Sequence, residues 1–362
     1  MRALLALHSS DPITPYLALR ARVPGFAVAS LEHALYQARS LWRMHGMRRT
    51  LFVVDSDDAL LVGVAAARPV AAKERQRLEG WLAPLVEATA GWLADVERSV
   101  LGAIAAAGGE PSTAELCESV PALATKITVG SGKWTQDVPL ASRLLLVLAM
   151  EGKIVRTRTA GTWRASQYRW ANTASWFAER ALRKPADEAS ARAALLRRYV
   201  ETHGPVTMTD LRWWTGWSKS HVTAALAANA ALTVALDDGA EGYVLPGDES
   251  PRAGPPRGVA LLPGLDSTPM GYKERAFFLP EPSDVHFDRS GNIGPTVWLD
   301  GRVVGVWAQR TSGEVAYRLL EDIGTAAQRD IAQAAAELTR WMDGVVATPR
   351  FRTPLERELA GT

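Results

Sequence analysis

Two stretches of this 362-residue chain place the same local signals in the same order, and that order restricts the fold more than any single motif does. In the first, the apolar-periodic run WLADVERSVLGAIAAA stops at Gly108-Gly109, and Ser112 and Thr113 are N-cap candidates for a short helix. The run VPLASRLLLVLAM then reads as a third helix ending at Gly152, and alternating runs around a turn at Ala160-Gly161 read as paired strands. The second stretch repeats this order. A helix through SARAALLRRYVETH ends at Gly204-Pro205, Thr207 caps a short helix, Ser218 caps a third, and Asp237-Asp238-Gly239 turns a hairpin. Helix, short helix, helix and two-stranded ribbon is the order of a winged helix, whose third helix usually enters a DNA groove.

The N-terminal region reads as a third, degraded copy, with helices through Ala3–Leu7, Ile13–Val23 and Ser30–Arg39 and a strand in MRRTLFVVD. Residues 67–90 read as a charged connecting helix. After the Pro/Gly/charge linker GDESPRAGPPRG the pattern changes. The runs VALLPGLD, AFFLP, PTVWLDGRVVGVWAQR and EVAYRLLE read as strands, LDGR as a hairpin turn, and TAAQRDIAQAAAELTRWMDGV as a closing helix. The expected fold class is α+β, with tandem winged-helix modules followed by a β-rich C-terminal domain. Its divisions are a winged-helix-like module at 1–66, a connecting helix at 67–90, winged helices at 91–173 and 174–248, and the β-rich domain with its terminal helix at 255–362.

Net charge is only +2 despite a sequence pI near 8.7, so a surface that holds a polyanion must be local. Several clusters qualify. RSLWRMHGMRR gathers Arg39, Arg43, Arg48 and Arg49, and on a helix Arg39 and Arg43 would share a face. KIVRTRTAGTWRASQYR holds Lys153, Arg156, Arg158, Arg164 and Arg169 with Trp163 at the expected hairpin tip and no acid among them, which suits phosphate contacts; a solvated ribbon face is the other reading. WWTGWSKSH brings Lys219 to the start of a recognition-like helix, although its tryptophans suit an inter-module seam equally well. GYKER offers Tyr272, Lys273 and Arg275, either as DNA contacts or in a salt bridge with Glu274. The single cysteine, Cys117, excludes a disulfide framework or a cysteine-rich zinc site and reads as a small buried hydrophobe. No signal peptide and no apolar window of membrane length stand out, so a cytoplasmic, nucleoid-associated monomer without metal or cofactor is expected.

Several segments in order carry a family resemblance: ARVPGFAVASLEHALYQARSLWRMHGMRRTLFVV, LLLVLAMEGKIVRTRTAGTWRASQYRW, GVALLPGLDSTPMGYKERAFF and PTVWLDGRVVGVWA. Together they resemble the bacterial winged-helix DNA glycosylases of the AlkZ/YcaQ-like family. The resemblance implies three winged helices and a β-rich domain forming a basic channel around damaged duplex DNA. It also implies hydrolysis of the N-glycosidic bond of alkylated purines, in some members at interstrand crosslinks. The family's Gln-x-Gln or Gln-x-Asp triplet falls at His8-Ser9-Ser10, so the resemblance places His8 and Ser10 in the catalytic positions and departs at both side chains. The family pattern also carries a longer lead-in than the seven residues before His8, which implies a late-placed start or a missing supporting helix.

An N7- or N3-alkylated purine is cationic, so its leaving group needs no proton. A neutral His8 can then take the proton of the attacking water, Ser10 can orient that water, and Asp11 can supply a carboxylate near the sugar cation. Ser9, Ser10 and Asp11 followed by Pro12 also form a helix-cap and turn signature, which stays open beside the catalytic reading. A non-enzymatic DNA-binding protein, a lesion sensor or regulator, remains the alternative function. A dimeric small-molecule sensor is less favoured, because no dimerisation helix stands out.

Overall fold

The computed structural model describes residues 4–87, 89–180, 182, 185–250, 254 and 258–361. Along the chain the elements are β1 (Ala6–His8), α1 (Thr14–Arg20), α2 (Val28–Glu32), β2 (Leu41–His45), β3 (Leu51–Asp55), α3 (Ser56–Val62), α4 (Arg68–Leu82), α5 (Thr89–Ala106) and α6 (Thr113–Ser119). Then come β4 (Lys126–Val129), β5 (Gln136–Pro139), α7 (Ala141–Met150), β6 (Ile154–Thr159), β7 (Tyr168–Asn172), α8 (Thr173–Trp176), α9 (Glu188–His203), α10 (Met208–Thr215) and α11 (Lys219–Ala228). The last are β8 (Leu232–Ala235), β9 (Glu241–Val244), β10 (Val259–Leu262), β11 (Thr296–Leu299), β12 (Arg302–Gln309), β13 (Val315–Leu319), α12 (Gly324–Met342) and α13 (Pro354–Ala360). The fold is α+β. Two compact units divide it: Met1–Leu31 with Leu196–Thr362, and Glu32–Leu195. Among the described residues no helix is long and apolar enough to cross a membrane.

In the Glu32–Leu195 unit, α5 buries Leu93, Val96, Val100 and Ile104, a spacing of three and four residues that makes one continuous face. That face joins Leu78 and Leu82 of α4, Leu144 and Leu148 of α7, and Ile127 and Val129 of β4 in one core. Short α6 stands on its cap: Ser112 Oγ accepts the Glu115 N–H, and the Glu115 carboxylate accepts the Ser112 N–H. The β6–β7 ribbon follows α7, so the order helix, short helix, helix, ribbon is present here.

The other unit holds the second instance. Thr207 and Asp210 form a capping box on α10, Gly216 ends that helix in the left-handed region, and Ser218 caps α11. The β8–β9 hairpin closes the set. Beyond residue 258, β10-β11-β12-β13 form an antiparallel sheet whose β11–β12 turn has Asp300 and Gly301 at φ 48° and 86°, the pair of left-handed residues that a type I′ turn needs. Helix α12 buries Ile331, Ala335, Leu338 and Met342 along one face and packs on β10 and β13.

Several local expectations are corrected. The run expected as a helix through Ala3–Leu7 is strand β1 from Ala6, with Leu5 at φ 56°; Ala3 lies outside the described residues. All three β1 side chains are buried, and a short run buried all round carries no helical stripe to follow. The expected helix Ser30–Arg39 is α2 running into a π-helical turn over His33–Gln37, and Arg39 has left the helical region at φ 50°. Arg43 therefore lies on strand β2, not one turn along a helix from Arg39. AFFLP is not a strand: consecutive Phe278 and Leu279 are both buried with Leu262, Trp298 and Val303, which an alternating strand cannot arrange on one face. The turn expected at Ala160-Gly161 is a longer loop from Ala160 to Gln167. Linker residues 251–253 and 255–257 lie outside the described residues.

Candidate active site

The segment His8-Ser9-Ser10-Asp11 leaves β1 and turns into α1. His8, Ser9 and Asp11 are buried, and Ser10 is half-buried. Asp11 closes the turn. Its Oδ1 accepts the Ile13 N–H at 3.2 Å and its carbonyl accepts the Thr14 N–H at 3.3 Å, while Ile13, the N-cap residue of α1, makes no side-chain cap. Pro12 sits in the turn, and Pro15 takes the first helical turn. The second carboxylate oxygen, Oδ2, accepts the Arg350 N–H at 2.8 Å. Burial pushes the Asp11 carboxyl above the ordinary aspartate value, against those two backbone N–H bonds and the Arg350 charge.

A loop following β10 fastens this segment on two sides. Thr14 donates its hydroxyl to Gly264 O at 2.7 Å, and Ser267 donates its own to Ala6 O at 2.7 Å. Between them, fully buried Asp266 receives a bidentate pair from Arg22, just beyond the end of α1, at 2.7 and 2.8 Å. Arg22 also donates to Thr268 Oγ1 at 2.9 Å. The loop is anchored in turn. Asp210, buried at the start of α10, accepts the N–H groups of Lys273 and Glu274 at 2.7 and 3.0 Å. Tyr272 donates to His203 O at 2.7 Å, and Tyr199 and Trp214 stack at 4.4 Å beneath it. The run expected as a strand through VALLPGLD keeps its strand only to Leu262 and continues as this loop, and nothing local marks Arg22 or Arg350 as its partners.

The expected cationic contacts separate into two kinds. In the Glu32–Leu195 unit, Arg39 donates to Trp176 O at 2.8 Å and lies over its ring, and Arg43 is buried, donating to Tyr36 Oη at 3.0 Å beneath Tyr168. Lys153 pairs with Glu97 and Glu151 at 3.0 Å each. Arg169 reaches Glu110 O and Glu115. Arg156 lies over Trp170 and meets His45 Nδ1 at 3.3 Å. Burial, followed by the charges of Arg156 and Arg49, holds the His45 pKa well below 6.5; its ring is therefore neutral at pH 7, and Nδ1 accepts from the guanidinium. Burial also brings Arg156 down to about 10, with Tyr168 opposing and Arg43 reinforcing the change.

Arg48, Arg49, Arg158 and Arg164 reach solvent; Arg49 pairs with Glu74 at 3.3 Å and Arg158 lies over Tyr36. Trp163 is half-buried in the loop between β6 and β7. In the other unit Lys219 and Lys273 are exposed. Arg275 is folded back between Trp213 and Phe287 with its Nε donating to Pro269 O at 2.7 Å, and Glu274 turns to Thr207 rather than to these cations. Tyr36, Tyr168 and Trp170, the aromatic faces on which the arginines rest, were not singled out from sequence.

A family model described as "DNA glycosylase AlkZ-like" matches residues 1–341. Among solved structures, Streptomyces sahachiroi DNA glycosylase AlkZ is similar at a TM-score of 0.68 and 20% identity, covering 96% of this chain and 90% of its own. At that identity the likeness concerns the fold. No curated protein matches.

Proposed function

Since the chain belongs to the AlkZ-like DNA glycosylase family, we propose that it hydrolyses the N-glycosidic bond of cationic N7- or N3-alkylated purines in duplex DNA, acting as a monomer through the His8–Asp11 segment. The supporting observation is the attachment of that segment: Thr14, Ser267 and the Arg22–Asp266 pair fix the backbone on both sides of it. A water-positioning site needs such rigidity, because an error of about 1 Å can cost on the order of a hundredfold in rate.

In the proposed step, water oxygen bonds to C1′ as the C1′–N bond breaks, and the electron pair leaves with the cationic purine, which departs neutral. His8 takes the proton of the water, and Ser10 orients it. Asp11 adds negative potential toward the oxocarbenium-like sugar. Exposed Arg48, Arg49, Arg158, Arg164, Lys219 and Lys273 are the proposed phosphate contacts, while Arg39, Arg43, Lys153, Arg156, Arg169, Tyr272 and Arg275 stiffen the surfaces that carry them, and Trp163 flanks the wing. Bulky adducts and crosslinks belong to the proposed substrate range.

One observation favours a second reading, a lesion sensor without catalysis. Both Asp11 oxygens already accept main-chain N–H bonds, as a purely structural turn would require. The two readings separate when duplex DNA containing N7-methylguanine is incubated with the protein and with His8→Ala. The glycosylase reading expects base release above spontaneous depurination, reduced at least tenfold in the variant. Salt-sensitive binding without release would leave the sensor.

A further inference from the structure

In a winged helix the third helix enters the groove, yet in the 91–173 module that role is closed to α7. Ala141, Leu144, Leu145, Val147, Leu148, Ala149 and Met150 are all buried, the helix is packed by α4, β2 and β6, and Arg143 lies over the Trp81 ring. By contrast α11, the equivalent helix of the next module, exposes Lys219, Ser220, His221 and Thr223. The 91–173 module must therefore meet DNA through something other than its third helix.

Directly before α7 the chain inserts the β4–β5 hairpin, which a winged helix does not require. Its base is fixed: Ile127 and Val129 are buried in the unit's core while Lys126 and Thr128 face outward. Its tip is a tight turn, with the Trp134 N–H donating to Ser131 O and the Thr135 N–H to Gly132 O, both at 3.1 Å. Gly130, at φ 91°, is required there, because a Cβ would stand 2.2 Å from Trp134 O. On this stalk Trp134 is 75% exposed, more than any other exposed large hydrophobic residue among the described ones. The hairpin's acid, Asp137, is tied to Thr128 Oγ1 at 2.8 Å.

We propose that Trp134 is a nucleobase-stacking wedge, which the 91–173 module presents to duplex DNA in place of its buried third helix. An exposed indole on a hydrogen-bonded turn whose base is anchored in the core matches the π face of any base, so the contact would tolerate sequence. Lys126, at the base of the same hairpin, adds charge complementary to the phosphate backbone. This inference rests on DNA as the partner and not on base release.

The test uses the full-length protein and a duplex carrying 2-aminopurine, read by anisotropy and by the probe's own fluorescence. Wild type should change the probe's fluorescence on binding, because insertion of the indole alters the probe's stacking. Trp134→Ala should lose that signal and weaken binding by about tenfold to a hundredfold, and Trp134→Phe should restore most of both. If wild type binds but Trp134→Ala binds equally well with the same probe signal, the wedge is overturned. If wild type binds no duplex at all, the DNA partnership itself is overturned.

Discussion

Removing the Asp266 carboxylate should loosen the candidate active site more than any other single change in its surroundings. Asp266 is fully buried; it accepts two bonds from Arg22 and the Thr268 N–H at 2.9 Å. Removing one member of a buried ion pair costs about 3–5 kcal/mol, because the other charge is left without compensation. Arg22 retains 23% exposure and its bond to Ala18 O, so water recovers part of that cost and about 2–3 kcal/mol remains for Asp266→Ala. For a unit of this size that loss lowers Tm by roughly 5–10 °C. Calorimetry of wild type, Asp266→Ala, Arg22→Ala and the double variant gives the coupling directly. The two losses should be non-additive by at least about 1 kcal/mol, and amide exchange should quicken in β1 and α1. Additive losses, or a Tm change under about 1 °C in Asp266→Ala, would refute the claim that this pair fastens the segment.

Other consequences are equally open to measurement. Gly271→Ala places a Cβ 2.4 Å from the His203 ring, so chemical denaturation should show a loss of about 1–3 kcal/mol. Burial lowers both His203 and His286 to about 4. Between pH 6.5 and 4 the unfolded chain binds more protons at these sites, so stability falls as pH falls through that window, by roughly 2–4 kcal/mol per group. Thermal melts from pH 7.5 to 4.5 should show that slope, and His286→Gln should flatten it. Ser112→Ala removes one half of the capping box on α6 and should cost about 1 kcal/mol by urea titration, with Ser112→Asp close to neutral.

What could be read from sequence was local. Ser112, Thr207 and Ser218 were placed at helix starts because a cap acts within three residues, and Asp300-Gly301 was placed at a hairpin because that turn chooses its own residues. β1 departs from the expected helix because three residues buried on every side carry neither a helical nor a strand period. The β4–β5 hairpin leaves little trace in the sequence although Ile127 and Val129 alternate with Lys126 and Thr128, because four-residue strands give a short signal. At the candidate site, the Asp11–Arg350 contact spans 339 residues and the Arg22–Asp266 pair 244, separations no local pattern reports. Counting cations also overstated the exposed positive surface, since Lys153 and Arg169 find Glu97, Glu151 and Glu115 only in the folded chain.

On the proposed function, the site acts on purines whose own positive charge removes the need for a proton donor. Single-turnover release from matched duplexes, one with N7-methylguanine and one with the neutral lesion hypoxanthine, tests it most directly. The cationic base should be released well above the spontaneous rate and the neutral base not at all; comparable release of both, or of hypoxanthine alone, would mean that the site supplies a proton to its leaving group.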